Sequence, residues 1–359
     1  MKILYDHQIF SMQKYGGISR YFANLHTGIS GLEGYESKLG LLFSDNAYIK
    51  TDRLPAQFLN GFVKKASRRY KYNKWYSKYL LGQSNFDVFH PTFYHPYFLR
   101  SLKKPFILTV HDMINELFPQ YYATDPFTGY KAQLIQKADH IIAISESTRK
   151  DIQKFFDVED RKISVIHLSN YVPVSSDRPG ETPAADDYLL FVGDRFGYKN
   201  FDLFLEAAAP LMLKYSIKLI CAGGGPFKPG ELKLIGELNV SGRVSQTSVT
   251  DTALSQLYKN AIAFIYPSLY EGFGLPVLEA FANNCPLIVS NTSSLPEVGG
   301  DAAEYFNPAD KESLTFAIDK VIGNKILQQE LRVKGRERLK LFSFETCLKK
   351  TLQVYNRFG

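Results

Sequence analysis

The 359-residue sequence predicts an α/β protein of two domains, each a doubly wound parallel sheet. Three observations lead there. Short apolar runs with no alternation, such as Ala261-Ile262-Ala263-Phe264-Ile265-Tyr266, suit strands buried on both faces of a parallel sheet. Such runs alternate with helical stretches in both halves of the chain. The length exceeds a comfortable single core, and residues 172–187, rich in Pro, Ser, Gly, Asp and Ala with no apolar period, separate the two sets as a linker.

In the first half, Lys2-Ile3-Leu4-Tyr5 reads as a strand. A loop with Tyr15-Gly16-Gly17-Ile18-Ser19-Arg20 then enters a helix through Tyr21, Phe22 and Leu25. Gly16 and Gly17 either let backbone approach a ligand closely or simply make a turn. Further strands are expected at 37–43, 88–90, 106–110, 140–144 and 162–166. The run Phe106 to Val110 ends in His111-Asp112, at the carboxyl edge where such sheets bind ligands. His90 and His95 also follow a strand. Ser145 has the place and chemistry of a helix cap, with Thr148 in the first turn.

The second half opens with the strand Tyr188 to Gly193. Its following loop, Asp194-Arg195-Phe196-Gly197-Tyr198-Lys199-Asn200, brings two cations to a strand end, which suits a diphosphate. Two exposed surface cations are the alternative. Lys218 to Ala222 is a strand that runs into Gly223-Gly224-Gly225-Pro226, where backbone approach would admit a nucleotide base. After Ala261–Tyr266 come a loop, Glu271 to Gly274, and a short helix with Pro276 in its first turn, where proline is tolerated best. Asn284 serves as a left-handed cap, Pro286 prevents continuation, and the next strand is Pro286 to Ser290. The free N–H groups of that helix start favour an anion. Glu271 at the loop mouth and Glu279 about one turn into the helix are too far apart to share a proton; both suit hydroxyl ligands, unless Glu279 is only a solvated helix residue. Glu297, in Ser294 to Gly300, reads as structural. The tail from Phe342 forms a helix with Leu348, Leu352 and Tyr355 on one face.

The stretch Glu271-Gly272-Phe273-Gly274-Leu275-Pro276-Val277-Leu278-Glu279 resembles the signature of the family 4 retaining glycosyltransferases. The resemblance covers the whole chain and is densest here and at Arg195 to Asn200. It implies the GT-B architecture, two Rossmann-like domains facing a central cleft: an acceptor-side domain, 1–171, to which the helix 342–359 returns, and a donor domain, 188–341. By the same resemblance Arg195 and Lys199 would hold the donor diphosphate, Glu271 the hydroxyls of the transferred sugar, Glu279 the ribose, and His111 the sugar near its anomeric centre. Gly16, Gly17, Gly193, Gly223, Phe273, Gly274 and Leu275 would line the donor, and Arg20, His90 and His95 the acceptor side. The pattern is similar to bacterial mannosyltransferases of O-antigen, lipopolysaccharide and exopolysaccharide assembly. GDP-mannose is therefore the first expected donor, UDP-sugars the second, with a glycan or lipid-linked glycan as acceptor.

Other classes fit less well. The chain has no Asp-x-Asp, the usual metal clamp on a sugar nucleotide, so no metal is expected. A dinucleotide oxidoreductase lacks its Gly-x-Gly-x-x-Gly opening. A glycosidase could use the two glutamates but has no need of the cationic loop. A sugar-nucleotide epimerase and a non-catalytic sugar-nucleotide binding module remain as alternatives. No run approaches the roughly 18 apolar residues of a membrane span, and the start reads as a strand instead of a signal peptide, so a cytoplasmic location is expected. Cys221, Cys285 and Cys347 have no zinc or disulfide spacing and read as buried small hydrophobes. The net charge of +7 is uneven: residues 62–81 hold seven cations and six aromatics without an acid. That composition suits either peripheral contact with anionic lipid on the inner face of the membrane or a helix packed by its aromatics. Nucleic acid is not an expected partner, for want of any motif.

Overall fold

In a computed structural model that describes residues 1–49, 65–171 and 187–359, the chain forms two compact units: Met1–Leu168 with Phe344–Gly359, and Ser169–Ser343. All but the last residue of the expected linker 172–187 lies outside the described residues.

In the first unit, β1 (Lys2–Tyr5) pairs with β2 (Glu36–Leu39) and β3 (Val88–His90), and β5 (His140–Ala143) pairs with β4 (Ile107–Val110) and β6 (Ile163–Val165), every pair parallel. A parallel bridge from Phe89 to Phe106 joins the two ladders, so the order is β2-β1-β3-β4-β5-β6. β2 ends at Leu39 instead of residue 43 because the next peptide groups turn to the helix Ala66–Gln83. Ser77 Oγ donates to the Gly40 carbonyl at 2.7 Å, and the Leu42 and Phe43 N–H groups both donate to Asn73 Oδ1 at 3.0 Å. Leu4, Phe89, Leu108, Val110, Ile141, Leu134 and Ile152 form the core.

The closing helix, Phe344–Tyr355, packs on the helix Gly17–Ser30. Gly28 permits the approach: a Cβ there would stand 2.8 Å from Phe344 Cζ. The buried stripe is Cys347, Thr351, Val354 and Tyr355; Leu348 and Leu352, expected on that face, flank it half-buried. Tyr355 reaches deepest. Its hydroxyl lies 2.9 Å from the Tyr5 hydroxyl and 2.6 Å from His90 Nδ1, while His90 Nε2 lies 2.9 Å from Thr109 Oγ1. His90 is fully buried with both ring nitrogens engaged, and burial drags its pKa down to about 3. It is a framework residue, which corrects its expected place on the acceptor side.

In the second unit, β7 (Tyr188–Val192), β8 (Lys218–Ala222), β9 (Val244–Thr247), β10 (Ala263–Tyr266), β11 (Leu287–Ser290) and β12 (Glu304–Phe306) form one parallel sheet in the order β12-β11-β10-β7-β8-β9. The inner strands β7, β10 and β11 are almost wholly buried, whereas the edge strand β9, Val-Ser-Gln-Thr, is only half-buried. Phe204, Leu205, Ala208 and Met212 of Phe201–Lys214 and Leu314, Ile318 and Val321 of Lys311–Ile322 fill one part of that core. All three cysteines are buried and free.

Tyr355→Phe removes one hydroxyl and leaves both the Tyr5 hydroxyl and His90 Nδ1 short of a buried partner. It is expected to destabilise the first unit by about 1–3 kcal/mol in urea unfolding. A loss under about 0.5 kcal/mol would show that the closing helix is held by its apolar stripe alone.

Candidate active site

The strand order of the second unit places its topological switch point between β7 and β10. From β7 the chain proceeds outward through β8 and β9, and from β10 the opposite way through β11 and β12. The loops leaving these two strands therefore diverge and open a crevice at their carboxyl ends. Lys199 stands on the first loop and Glu271 on the second, and they meet: Nζ lies 2.7 Å from Oε1. The two side chains are only 15% and 9% exposed. Burial alone would lower the Lys199 pKa, but the Glu271 carboxylate and Tyr266 outweigh it and hold the ammonium above its ordinary value.

Both loops are locked into place. Asn200 ends the short turn Gly197–Lys199 in the left-handed region, φ 58°, and its side chain donates to the Pro308 carbonyl at 2.8 Å. On the other side, the Glu271 N–H donates to Ser293 Oγ at 2.9 Å. Ser294 Oγ lies 2.8 and 2.9 Å from the carbonyls of Glu271 and Phe273. Ser293 itself is left-handed, φ 52°. Neither serine is singled out by the sequence reading; the polar run Asn291 to Ser294 directly after a buried strand is the signal that would have found them.

Gly274, φ 101°, caps the helix Leu275–Ala282, and a Cβ on it would stand 3.0 Å from Leu295 Cδ2. Pro276 sits in the first turn, and Asn284, φ 54°, follows the helix end. Glu279 is half-buried one turn along and accepts from the buried Tyr258 hydroxyl at 3.3 Å, so it is not merely a solvated residue. The ring of Phe273 is buried edge-on against Phe342, centroids 5.8 Å apart. Its backbone is the part left to line a donor.

Arg195 departs most from expectation. Its guanidinium is buried: Nε donates to Glu231 at 2.9 Å, Nη1 to the Gly223 carbonyl at 3.2 Å, and Nη2 to the Gly225 and Pro226 carbonyls at 2.9 and 3.1 Å. Gly223, Gly224 and Gly225 have φ of 92°, 68° and 69°, and a Cβ on Gly224 would lie 2.7 Å from Nη1. The close approach that the glycines permit is thus made by Arg195 itself. With four N–H groups spent inside the protein, Arg195 positions this turn. Gly193, φ 110°, lies under Gly223 at the root of the same loop.

In the first unit, His111 follows β4 and is buried; its N–H donates to the Tyr94 hydroxyl at 3.0 Å. Tyr21 and Phe22 stand edge-on to the ring, and Nε2 has no hydrogen-bond partner among the described residues. Burial pulls its pKa down to about 4, with Asp112 opposing and Lys131 assisting, so the ring is neutral near pH 7. Behind it the buried Lys131 bridges Glu116 Oε2 at 2.7 Å and Asp112 Oδ1 at 3.8 Å. Gly17 opens the helix Gly17–Ser30. A Cβ on Gly16 would collide with Gln13 Oε1, which accepts from the Ser19 N–H at 3.3 Å. Arg20 donates to the Tyr48 hydroxyl at 3.1 Å and lies over that ring. His95 Nδ1 accepts from the Tyr97 N–H at 3.1 Å. Ser145 caps Glu146–Phe155, accepting from the Thr148 N–H at 3.0 Å. The sequence reading missed Asp6, a fully buried carboxylate at the end of β1 that accepts from the N–H and hydroxyl of Thr92 and from the side chains of Gln8 and Tyr97.

Comparison with known proteins agrees in both halves. The family Glycosyl transferases group 1 matches residues 176–338, and Glycosyltransferase Family 4 matches residues 15–168. The O-antigen chain mannosyltransferase B of Escherichia coli is 29% identical over 287 residues, 75% of this chain and 74% of that protein. The O-antigen chain mannosyltransferase RfbU of Salmonella typhimurium is 28% identical over 60% of each chain. Among solved structures, sucrose-phosphate synthase from Thermosynechococcus elongatus superposes with a TM-score of 0.74 at 18% identity, over 99% of this chain and 98% of that one. WaaG, a glycosyltransferase involved in lipopolysaccharide biosynthesis, gives 0.68 at 16% identity over 99% of each.

Arg195→Ala would strand Glu231 and several carbonyls in the interior, so it is expected to lower the stability of the second unit by about 3–5 kcal/mol in denaturant unfolding. Full stability together with a selective loss of nucleotide affinity would return Arg195 to the diphosphate.

Proposed function

Because the chain belongs to glycosyltransferase family 4, a retaining family with the GT-B fold, it is a glycosyltransferase that takes a nucleotide sugar and an acceptor; we propose that the sugar is mannose, carried by GDP, and that the acceptor is a growing cell-surface glycan or its lipid-linked form. The observation that carries the site assignment is the buried Lys199–Glu271 pair at the switch point of the second unit. An ammonium held charged there meets the diphosphate. The start of the helix Leu275–Ala282 adds the partial positive charge of its free N–H groups, and together they stabilise the negative charge that builds on the leaving nucleotide. Glu271 uses its remaining lone pairs for hydroxyls of the transferred sugar, and Glu279 takes the ribose. Arg195 acts at one remove by shaping the Gly223–Pro226 turn against the nucleotide.

In the first unit the neutral His111 offers Nε2 to a sugar hydroxyl, Gly16 and Gly17 face the donor, and Arg20 and His95 serve the acceptor side. The acceptor hydroxyl attacks the anomeric carbon on the face that the nucleotide leaves, its proton passes to a phosphate oxygen, and configuration is kept. Support for mannose comes from relatives named as mannosyltransferases, two of O-antigen chains and one an MMP alpha-(1->4)-mannosyltransferase from Mycolicibacterium hassiacum, 28% identical over 64% of this chain and 57% of that one. The location we propose is the cytoplasm, peripheral to the inner face of the membrane. Among the described residues no helix is long and apolar enough to cross one.

Thermal-shift titration against a panel of nucleotide sugars tests the donor. GDP-mannose is expected to give the largest stabilisation, and a UDP-sugar that alone stabilises would replace it. Transfer is expected to survive EDTA, and a complete loss restored by magnesium would contradict the cationic substitute for a metal clamp. Release of an altered sugar without acceptor would make the protein an epimerase.

A further inference from the structure

The helix Ala66–Gln83 buries the wrong face for a helix that merely packs. Its buried residues are Asn73, Ser77, Leu80 and Leu81, while Trp75, Tyr79 and Tyr72 are 64%, 51% and 42% exposed. At about 100° per residue, Arg68, Lys71, Tyr72, Trp75, Lys78 and Tyr79 fall within about 120° of the helix surface, opposite the buried arc. The indole of Trp75 stacks on Tyr79, centroids 6.1 Å apart and planes 13° from parallel. Water-facing aromatics are costly unless something covers them. Here three of them share one arc with three cations, and the helix carries no carboxylate.

Asp45 pairs with Arg69, and Asp87 accepts from the Lys2 N–H. Lys65, Arg68, Lys71 and Lys78 are exposed, whereas Lys74 turns toward the Tyr97 ring. Phe62, Val63 and Lys64, part of the expected segment, lie outside the described residues, and nothing here depends on them. Tyr70 and Tyr76 do pack inward, on His7 and on the core, whereas Tyr72, Trp75 and Tyr79 stay exposed.

We propose that the arc formed by Arg68, Lys71, Tyr72, Trp75, Lys78 and Tyr79 docks on an anionic lipid surface, with the aromatic rings at headgroup depth and the cations on lipid phosphates. Charge complementarity selects this occupant. A protein groove would meet the aromatics but not the uniform positive charge, and a nucleic acid would find no base-reading motif. The docking face contains none of the residues assigned to the transfer chemistry.

Trp75 is the only tryptophan of the chain, so its emission reports on this one helix. The full chain is mixed, at low ionic strength and then at high, with vesicles of phosphatidylcholine alone and of phosphatidylcholine with phosphatidylglycerol, with no sugar nucleotide present. The emission is expected to move to shorter wavelength and lose acrylamide quenching with the anionic vesicles only, and to revert with salt. R68S/K71S/K78S, checked for an unchanged melting temperature, is expected to reduce sedimentation with anionic vesicles by about tenfold or more. Sedimentation without a Trp75 shift, an equal response to neutral vesicles, no response at low salt, or a stronger response to a polynucleotide than to vesicles would each overturn the proposal.

Discussion

A single buried ion pair, Lys199 to Glu271, ties the chemistry of this protein to its fold. A buried pair of this kind adds little net stability, because desolvation of both charges offsets most of their attraction. Its value lies in position. The strand order β12-β11-β10-β7-β8-β9 puts the two loops of opposite travel side by side, and the pair spans them. Each partner sits on backbone fixed by other contacts, Asn200 to Pro308 on one side and Ser293 and Ser294 on the other. Charge is thereby held ready with little reorganisation left to pay for when an anion arrives.

Around that pair, the second unit spends its polar groups on shaping loops. Arg195 is the clearest case, since one side chain fixes three consecutive left-handed glycines and neutralises Glu231. The first unit uses the same device differently. Tyr355 of the closing helix joins Tyr5 and His90 in the core, and Asp6 gathers Gln8, Thr92 and Tyr97 at the end of β1. These networks are fully satisfied, so they specify geometry without the cost of orphaned polar atoms. His111 Nε2 is an exception that stands at a strand end.

Much of this was legible in the sequence because it rests on local patterns. Buried parallel strands give unbroken apolar runs, and Ala261 to Tyr266 became β10 within two residues. Gly274, Pro276 and Asn284 announce a helix start and stop through their backbone preferences alone, and the spacing of Glu271 and Glu279 marks one loop and one helix turn. What escaped depends on partners distant in the chain. Nothing near Arg195 reveals that Glu231 and the Gly223–Pro226 carbonyls will absorb its donors. His90 looks like any strand-end histidine until Tyr355, 265 residues away, reaches it. The closing helix was placed correctly in periodicity but not in face, because Thr351 and Cys347 are buried where leucines were expected.

We propose that Lys199 is the cation that meets the donor diphosphate, with Glu271 as its partner and the ligand of the sugar. Calorimetric titration of Lys199→Met/Glu271→Gln, which leaves no unpaired buried charge, against wild type decides it. The double variant is expected to bind the nucleoside diphosphate, GDP or UDP, at least about tenfold more weakly, equivalent to about 1.4 kcal/mol, with its melting temperature preserved. Unchanged nucleoside diphosphate affinity in that folded variant would contradict it.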